Sequence, residues 1–583
     1  MPRPVLLLSP GKSLLGARTR APTPNPSLPA GRGERLLVLS LRIALAAAFG
    51  AVATGVSARV DSADPPLARY VQARLAASIG APERASADFA AVLDASPDNA
   101  IVAAQAMNHG ISAGDWPLAL RAARILEQGN ALRPDARLLL VADAFKRRDW
   151  TAARREVAAA GQERAFAFAV PVLNAWIAFG SGEGDPIAAL GQGDGAAGYV
   201  EEHRALLLLA MNRPEGRAAL AAATGAQSVR AMRLRIAGAG LLATRGDRAG
   251  ALALLAGDEP PIAAARALVE AGRPIPGAFD GADSGVAELL LRIALDLDAR
   301  DLTGPAAGLS RIATYLDPAS SEGWLIAAEL TAKGDDPAAA VPLLAHIDPA
   351  DPFAAVARDS RARMLVAADD ARAALADAQA AARAPGATAD DQMRLGEVLM
   401  ALDRPADAAP AFARGLALRR DNDTPEWSML LAQAGALDQA GNWAAARALL
   451  ERANRLQPNQ PLILNYLGYG QLSHHEDVAA AEQLVREAHR LAPDNAAITD
   501  SLGWALFLKG DKAGAIALLE TAAQNAPADV EINEHLGDAY YAVGRRLEAR
   551  FAWRAARVYA EGEDATRLDG KIANGADAQA AAR

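Results

Sequence analysis

The sequence predicts an all-α protein built as a solenoid of antiparallel helix pairs. Three observations carry that expectation. A residue frame recurs every 34 positions, so that Leu502-Gly503 is matched by Leu536-Gly537. The composition favours helix, being rich in Ala and Leu, 51% hydrophobic and only 5% aromatic. Long alternating runs of Val, Ile and Thr, which would mark strands, do not occur. At 583 residues the chain is too long for one compact core, so several domains or a repeat array are expected.

In chain order, the first segment is 1–58, a Pro-rich basic extension. It holds seven Lys or Arg and one Glu, so that removing its +6 from the total of −9 leaves −15 for the remainder. Arg32, Arg35 and Arg42 precede the apolar run Ile43–Gly55, and small residues follow at Val56–Ala58. A basic flank, a short apolar core and small residues describe a signal peptide. The run is shorter than the roughly 20 residues of a membrane span. The expectation is an exported, periplasmic protein starting near Arg59, or one held in the inner membrane by the uncleaved segment. Cysteine is absent, which excludes disulfides, thiolate nucleophiles, Cys-based metal sites and a lipid anchor on an N-terminal cysteine.

Four segments of repeats are expected next: N-terminal repeats over 59–160, degenerate ones over 161–284, divergent ones over 285–388 and well-formed ones over 389–560. A capping segment and disordered tail, 561–583, close the chain. The frame is sharpest near the end. From Gly503, steps of seven, twelve, sixteen, nineteen and twenty-four residues reach Gly510, Ala515, Leu519, Ala522 and Pro527. From Gly537 they reach Gly544, Ala549, Trp553 and Ala556, and from Gly396 they reach Ala408, Phe412 and Gly415. From Gly468 the frame slips by one, to Ala481, Val485 and Ala488, in the turn Ser473–Asp477. Ala73 leads in the same way to Gly80, Ala85 and Phe89. Each unit therefore reads as a helix, a Gly-centred turn and a second helix, with Gly free to adopt the left-handed conformation at the helix end. Small residues sit where two helices cross at roughly 8–10 Å, and large ones such as Phe412, Tyr540 and Trp553 fill the space beside them. A pair cannot bury its apolar face alone, so pairs stack.

This pattern resembles the tetratricopeptide repeat family, on the strength of Leu502–Pro527 and Leu536–Ala556. The resemblance implies a right-handed superhelix whose concave groove binds proteins or peptides. Two departures are Arg420, where Pro would stand, and the insertion Asp421–Trp427. The face implied to line the groove lies six and three residues before each repeat Gly and one, four and five after it. It includes Asp390, Met393 and Glu397 around Gly396, and Asn465, Tyr469 and Leu472 around Gly468. Asp500, Trp504 and Phe507 follow around Gly503, and Glu531, Glu534, Asp538 and Tyr541 around Gly537. Acids and aromatics on that face favour a basic, apolar partner segment over a terminal carboxylate.

Catalytic motifs are weaker. Gly110–Gly114 has the Gly-x-Ser-x-Gly spacing of a nucleophile elbow but lies in a helical frame, not between strand and helix. Gly193–Gly198 has Gly-x-Gly-x-x-Gly spacing without a preceding strand. His474–Asp477 groups imidazoles and carboxylates in what reads as a solvated turn, and His535 reads as a satisfied, partly buried helix residue. No catalytic residue, metal ligand or cofactor is expected. The acidic balance argues against nucleic acid, and Arg545, Arg546, Arg550 and Arg554 read as a solvated cap. The functional expectation is a non-enzymatic, exported scaffold that binds proteins or peptides. The alternative is an accessory component that positions enzymes of envelope polysaccharide or peptidoglycan metabolism. An active site in the degenerate middle ranks last, because the repeat frame leaves little room for a catalytic domain.

Overall fold

The computed structural model describes residues 66–576, apart from 164, 192–196, 225–228, 278, 280, 335, 385 and 421–424. The expected leader 1–58, most of Gly193–Gly198, the start of the Asp421–Trp427 insertion and the tail beyond 576 lie outside the described residues. All regular structure among the described residues is helical. None of those helices is long and apolar enough to cross a membrane. The chain divides into two compact units, with the boundary between Ala374 and Leu375.

The C-terminal unit is a run of helix pairs: Ala389–Ala401 with Pro405–Leu418, Glu426–Gln439 with Trp443–Leu456, Pro461–Ser473 with Val478–Leu491, Ala496–Lys509 with Lys512–Asn525, and Val530–Ala542 with Arg546–Tyr559. A last helix, Gly562–Asn574, follows. Local chemistry sets the ends. Thr388 and Asp391 form a capping box, while Asn442, Asp477, Asn495, Asp511 and Asp529 each accept backbone N–H bonds at a helix start. Gly510 ends its helix in the left-handed region at φ 94°.

The repeat glycines sit where the two helices of a pair touch. A Cβ on Gly537 would lie 2.4 Å from the Trp553 ring, and one on Gly396 would lie 2.4 Å from Phe412. One on Gly503 would lie 2.9 Å from Leu519, and one on Gly468 would lie 2.8 Å from Val485. Each opposing residue is the one sixteen places on, or seventeen after the slip at Gly468, so the frame read from sequence is a helix-crossing geometry. Ala515 and Ala549 at the same crossings are fully buried.

The N-terminal unit starts with the same kind of pair: Pro66–Ser78 with Pro82–Ala95, Ala100–Ala113 with Trp116–Gln128, and Pro134–Lys146 with Trp150–Gln162. Its later second helices shorten, to five residues in Pro186–Leu190 and seven in Arg248–Leu254. Then the chain turns inward. Ala282–Asp298 packs against Pro134–Lys146, Val170–Ser181 and Ala197–Ala210, and Thr303–Leu316 packs against Ala100–Ala113 and Pro134–Lys146. These four partners are each the first helix of a pair. The inner side of this unit is therefore filled by its own chain. Gly285 makes the approach possible, since a Cβ there would lie 2.3 Å from the fully buried Trp176.

Polar bonds fix this inward turn. The Tyr315 hydroxyl donates to Asp143 Oδ1 at 3.1 Å, and Lys146 Nζ donates to the Tyr315 carbonyl at 2.6 Å. Arg292 meets Glu202 at 2.8 Å, and buried Arg233 lies 2.7 Å from Glu288 and 3.5 Å from Glu322. Arg311 is buried against the Trp116 and Trp324 rings, and burial lowers its pKa to about 10.

Candidate functional site

In the C-terminal unit the face expected to line a groove runs along the first helix of each pair. Tyr469 shows how these helices converge: its hydroxyl donates to Glu531, two pairs further on. Such a bond is possible only if first helices stand together on the inner side of the stack. With glycine-centred crossings in four of the five pairs, Ala434 taking that place in the other, and first helices joined along one side, the architecture is settled. The fold is tetratricopeptide-like.

No protein-family model matches the chain, and no curated protein does. Among solved structures, similar chains include a thermophilic TPR protein from Thermus thermophilus, at 23% identity over 32% of this chain and 98% of that one, with a TM-score of 0.28. The APC/C hetero-tetramer Cut9-Hcn1 is similar at 15% identity over 88% of this chain and 97% of that one, with a TM-score of 0.36. A tetratricopeptide repeat protein from Parabacteroides merdae is similar at 13% identity over 44% and 99%, with a TM-score of 0.37.

The inner face of this tetratricopeptide-like unit divides into two chemically distinct stretches. Toward the end of the chain it is closed and internally paired. His535 is buried, with Nδ1 2.9 Å from Asp500 Oδ2 and its ring stacked on Trp504 at 4.1 Å. Trp504 in turn stacks on Phe507 at 4.9 Å. Burial lowers the His535 pKa, but Asp500, Glu531 and Asp538 outweigh it and raise the value to about 9. Burial raises Glu531 to about 7, against the pull of His535.

One step further along, Glu534 and Asp538 are buried, and the last helix reaches over them. Arg567 grips Glu534 with two bonds, at 2.9 and 2.6 Å. Lys571 Nζ lies 2.7 Å from Glu534 and 2.6 Å from Asp538, and Asp538 also accepts from Trp553 Nε1 at 3.0 Å. Glu534 is lowered to about 2, because Arg567 and Lys571 overcome its burial, whereas burial leaves Asp538 raised. Four of the expected groove acids, Asp500, Glu531, Glu534 and Asp538, thus meet partners within the chain and do not form an open acidic lining. Tyr541 is half-buried beside Trp553.

Upstream the face is more open. Asp390 is half-buried and Glu397 exposed. Asn465 is half-buried, but its Oδ1 is buried with no hydrogen-bond partner among the described residues. It stands three residues before its repeat glycine, the position that Asp500 and Glu534 fill in the next two pairs.

Sequence reasoning missed Arg567 and Lys571, although a signal was present. Each lies 33 residues beyond the acid it neutralises, close to one repeat period, so the last helix occupies the place of another first helix. The turn His474–Asp477 is also less solvated than expected. His474 stacks on Trp443 and lies 2.8 Å from Asp438, while Glu476 accepts from Trp443 Nε1 and pairs with Arg447 at 2.7 Å. Ser112 of the Gly110–Gly114 motif sits in a helix that ends at Gly114 with φ 77°.

Proposed function

We propose that the protein is a non-enzymatic scaffold that holds an extended protein or peptide segment on the first-helix face of its C-terminal unit. The observation that carries this reading is the Asn465 carboxamide. A buried acceptor without a donor costs about 1–3 kcal/mol, and rotation of the half-buried Asn465 side chain would present it to a backbone N–H of a bound segment. Along the same face Phe507 is half-buried, and Asp390 and Glu397 add an acidic character that suits a basic, apolar segment. In the N-terminal unit, Ala282–Asp298 and Thr303–Leu316 occupy the corresponding face. Export belongs to the same proposal, supported by the basic flank and short apolar run of 32–58.

The test is photo-crosslinking in the native cell, with the crosslinkable residue at Phe507 or Glu397 on this face and at Ala517 on the opposite, outward surface. Adducts to one protein from Phe507 and Glu397 alone are expected. Equal adducts from Ala517, or none from the first-helix positions, overturn the reading.

A further inference from the structure

The outward surface of the last helix pair breaks the pattern of the pairs before it. On Arg546–Tyr559, Leu547, Phe551 and Val558 are 68%, 59% and 59% exposed. Taking the crossing residue as the reference (Trp553 here, Leu519, Val485 and Leu450 earlier), the same three positions in the preceding pairs can be read directly. They are Ala513, Ala517 and Gln524 one pair back, and Ala479, Gln483 and Arg490 two pairs back, all of them partly or fully exposed. Three pairs back they are Ala444, Ala448 and Arg455, again partly or fully exposed. The fold therefore asks only for a small or polar residue here. It does not explain Leu, Phe and Val, and three aligned apolar side chains in water mark an interaction surface rather than scattered exposure.

Charge narrows the partner. The helix carries four Arg and one Glu, in a chain whose net charge is −9. Arg550 and Arg554 are exposed and make no ion pair among the described residues, whereas Arg557 pairs with Asp569. Leu547, Phe551, Arg554 and Val558 follow one another by four, three and four residues, the seam spacing of a helix that packs along another helix. The seam is about 16 Å long, at about 1.5 Å per residue. Glu561 and Glu563, exposed just beyond it, disfavour an anionic bilayer, which would cover them too.

We propose that this face docks an acidic amphipathic helix of a partner protein, with its apolar residues on Leu547, Phe551 and Val558 and its carboxylates on Arg550 and Arg554. This surface is separate from the first-helix face and does not depend on what binds there. The test uses the full chain and a fluorescent helical peptide with leucines at heptad a and d and glutamates at e and g. A matched peptide with lysines replacing the glutamates and vesicles of phosphatidylglycerol with phosphatidylcholine serve as alternatives, and wild-type sedimentation reads self-association. Expected are binding of the glutamate peptide alone, at least about a tenfold loss for Phe551→Ser, and a switch to the lysine peptide for Arg550→Glu with Arg554→Glu; ten-fold corresponds to about 1.4 kcal/mol. Both variants lie on an exposed face, and unchanged melting curves establish that they fold. No binding of the glutamate peptide, equal binding of both peptides, binding to the vesicles instead, or a wild-type dimer dissolved by Phe551→Ser each overturns the proposal.

Discussion

Lys571→Met isolates the charge network that closes the C-terminal unit. Lys571 is 11% exposed at its side chain and contacts two carboxylates that are 7% and 5% exposed, Glu534 and Asp538. Breaking a buried pair by removing one partner costs about 3–5 kcal/mol, because the remaining charge is left uncompensated. Glu534 keeps Arg567, so the loss falls on Asp538, which keeps the Trp553 N–H and the nearby His535. The expected cost is therefore at the lower end, about 3 kcal/mol. Repeat arrays need not unfold as one unit, so the assay should be local. Amide hydrogen exchange over 530–574 should speed up by roughly 100-fold, the equivalent of that energy. Adding Asp538→Asn removes the stranded charge and should restore most of the protection. Unchanged exchange in Lys571→Met would refute the buried network, and a double variant as labile as the single one would refute the charge explanation.

Two further outcomes are expected. His535 is raised from 6.5 to about 9, so its native contribution is complete below about pH 6.5 and is lost as pH rises through 9. Glu531, raised from 4.5 to about 7, acts in the same direction between those values, so the melting temperature of the C-terminal unit should fall from pH 6.5 to 9. His535→Phe should flatten that fall, and an unchanged pH profile would count against the Asp500–His535 pair. For export, N-terminal sequencing of protein from native cells should begin near Arg59, and an intact N-terminus in the cytoplasmic fraction would rule export out.

The C-terminal pairs were legible in the sequence because their frame is set by contacts. Gly537 must face Trp553, and Gly396 must face Phe412, so a spacing of sixteen residues is visible without coordinates. The offsets of twelve, sixteen and nineteen residues all fall on the second helix. Where that helix shortens to five residues at Pro186–Leu190, only the first of those offsets still falls on it. That is why the register fades through the middle of the chain. The inward turn of Ala282–Leu316 was illegible for a different reason. It depends on contacts such as Gly285 with Trp176 and Tyr315 with Asp143, which join residues more than one hundred positions apart and follow no period.

The expected groove residues all stand on first helices, but residue type alone did not show which of their charges meet partners within the chain. An acid on a first helix can wait for a partner or meet the next first helix, and the two cases look alike in sequence. Glu534 and Asp538 belong to the second case, because the last helix brings Arg567 and Lys571 to them. A basic segment binding there would have to displace that helix and uncover two buried carboxylates, at a cost of several kcal/mol by the estimate for a broken buried pair. Binding upstream carries no such cost. Around Asn465 the face holds a polar group that the described residues do not satisfy, so a partner gains there what it would have to replace at Glu534. On the proposed function, recognition falls in the pairs from Ala389 to Leu491, and the last helix keeps the end of the array closed.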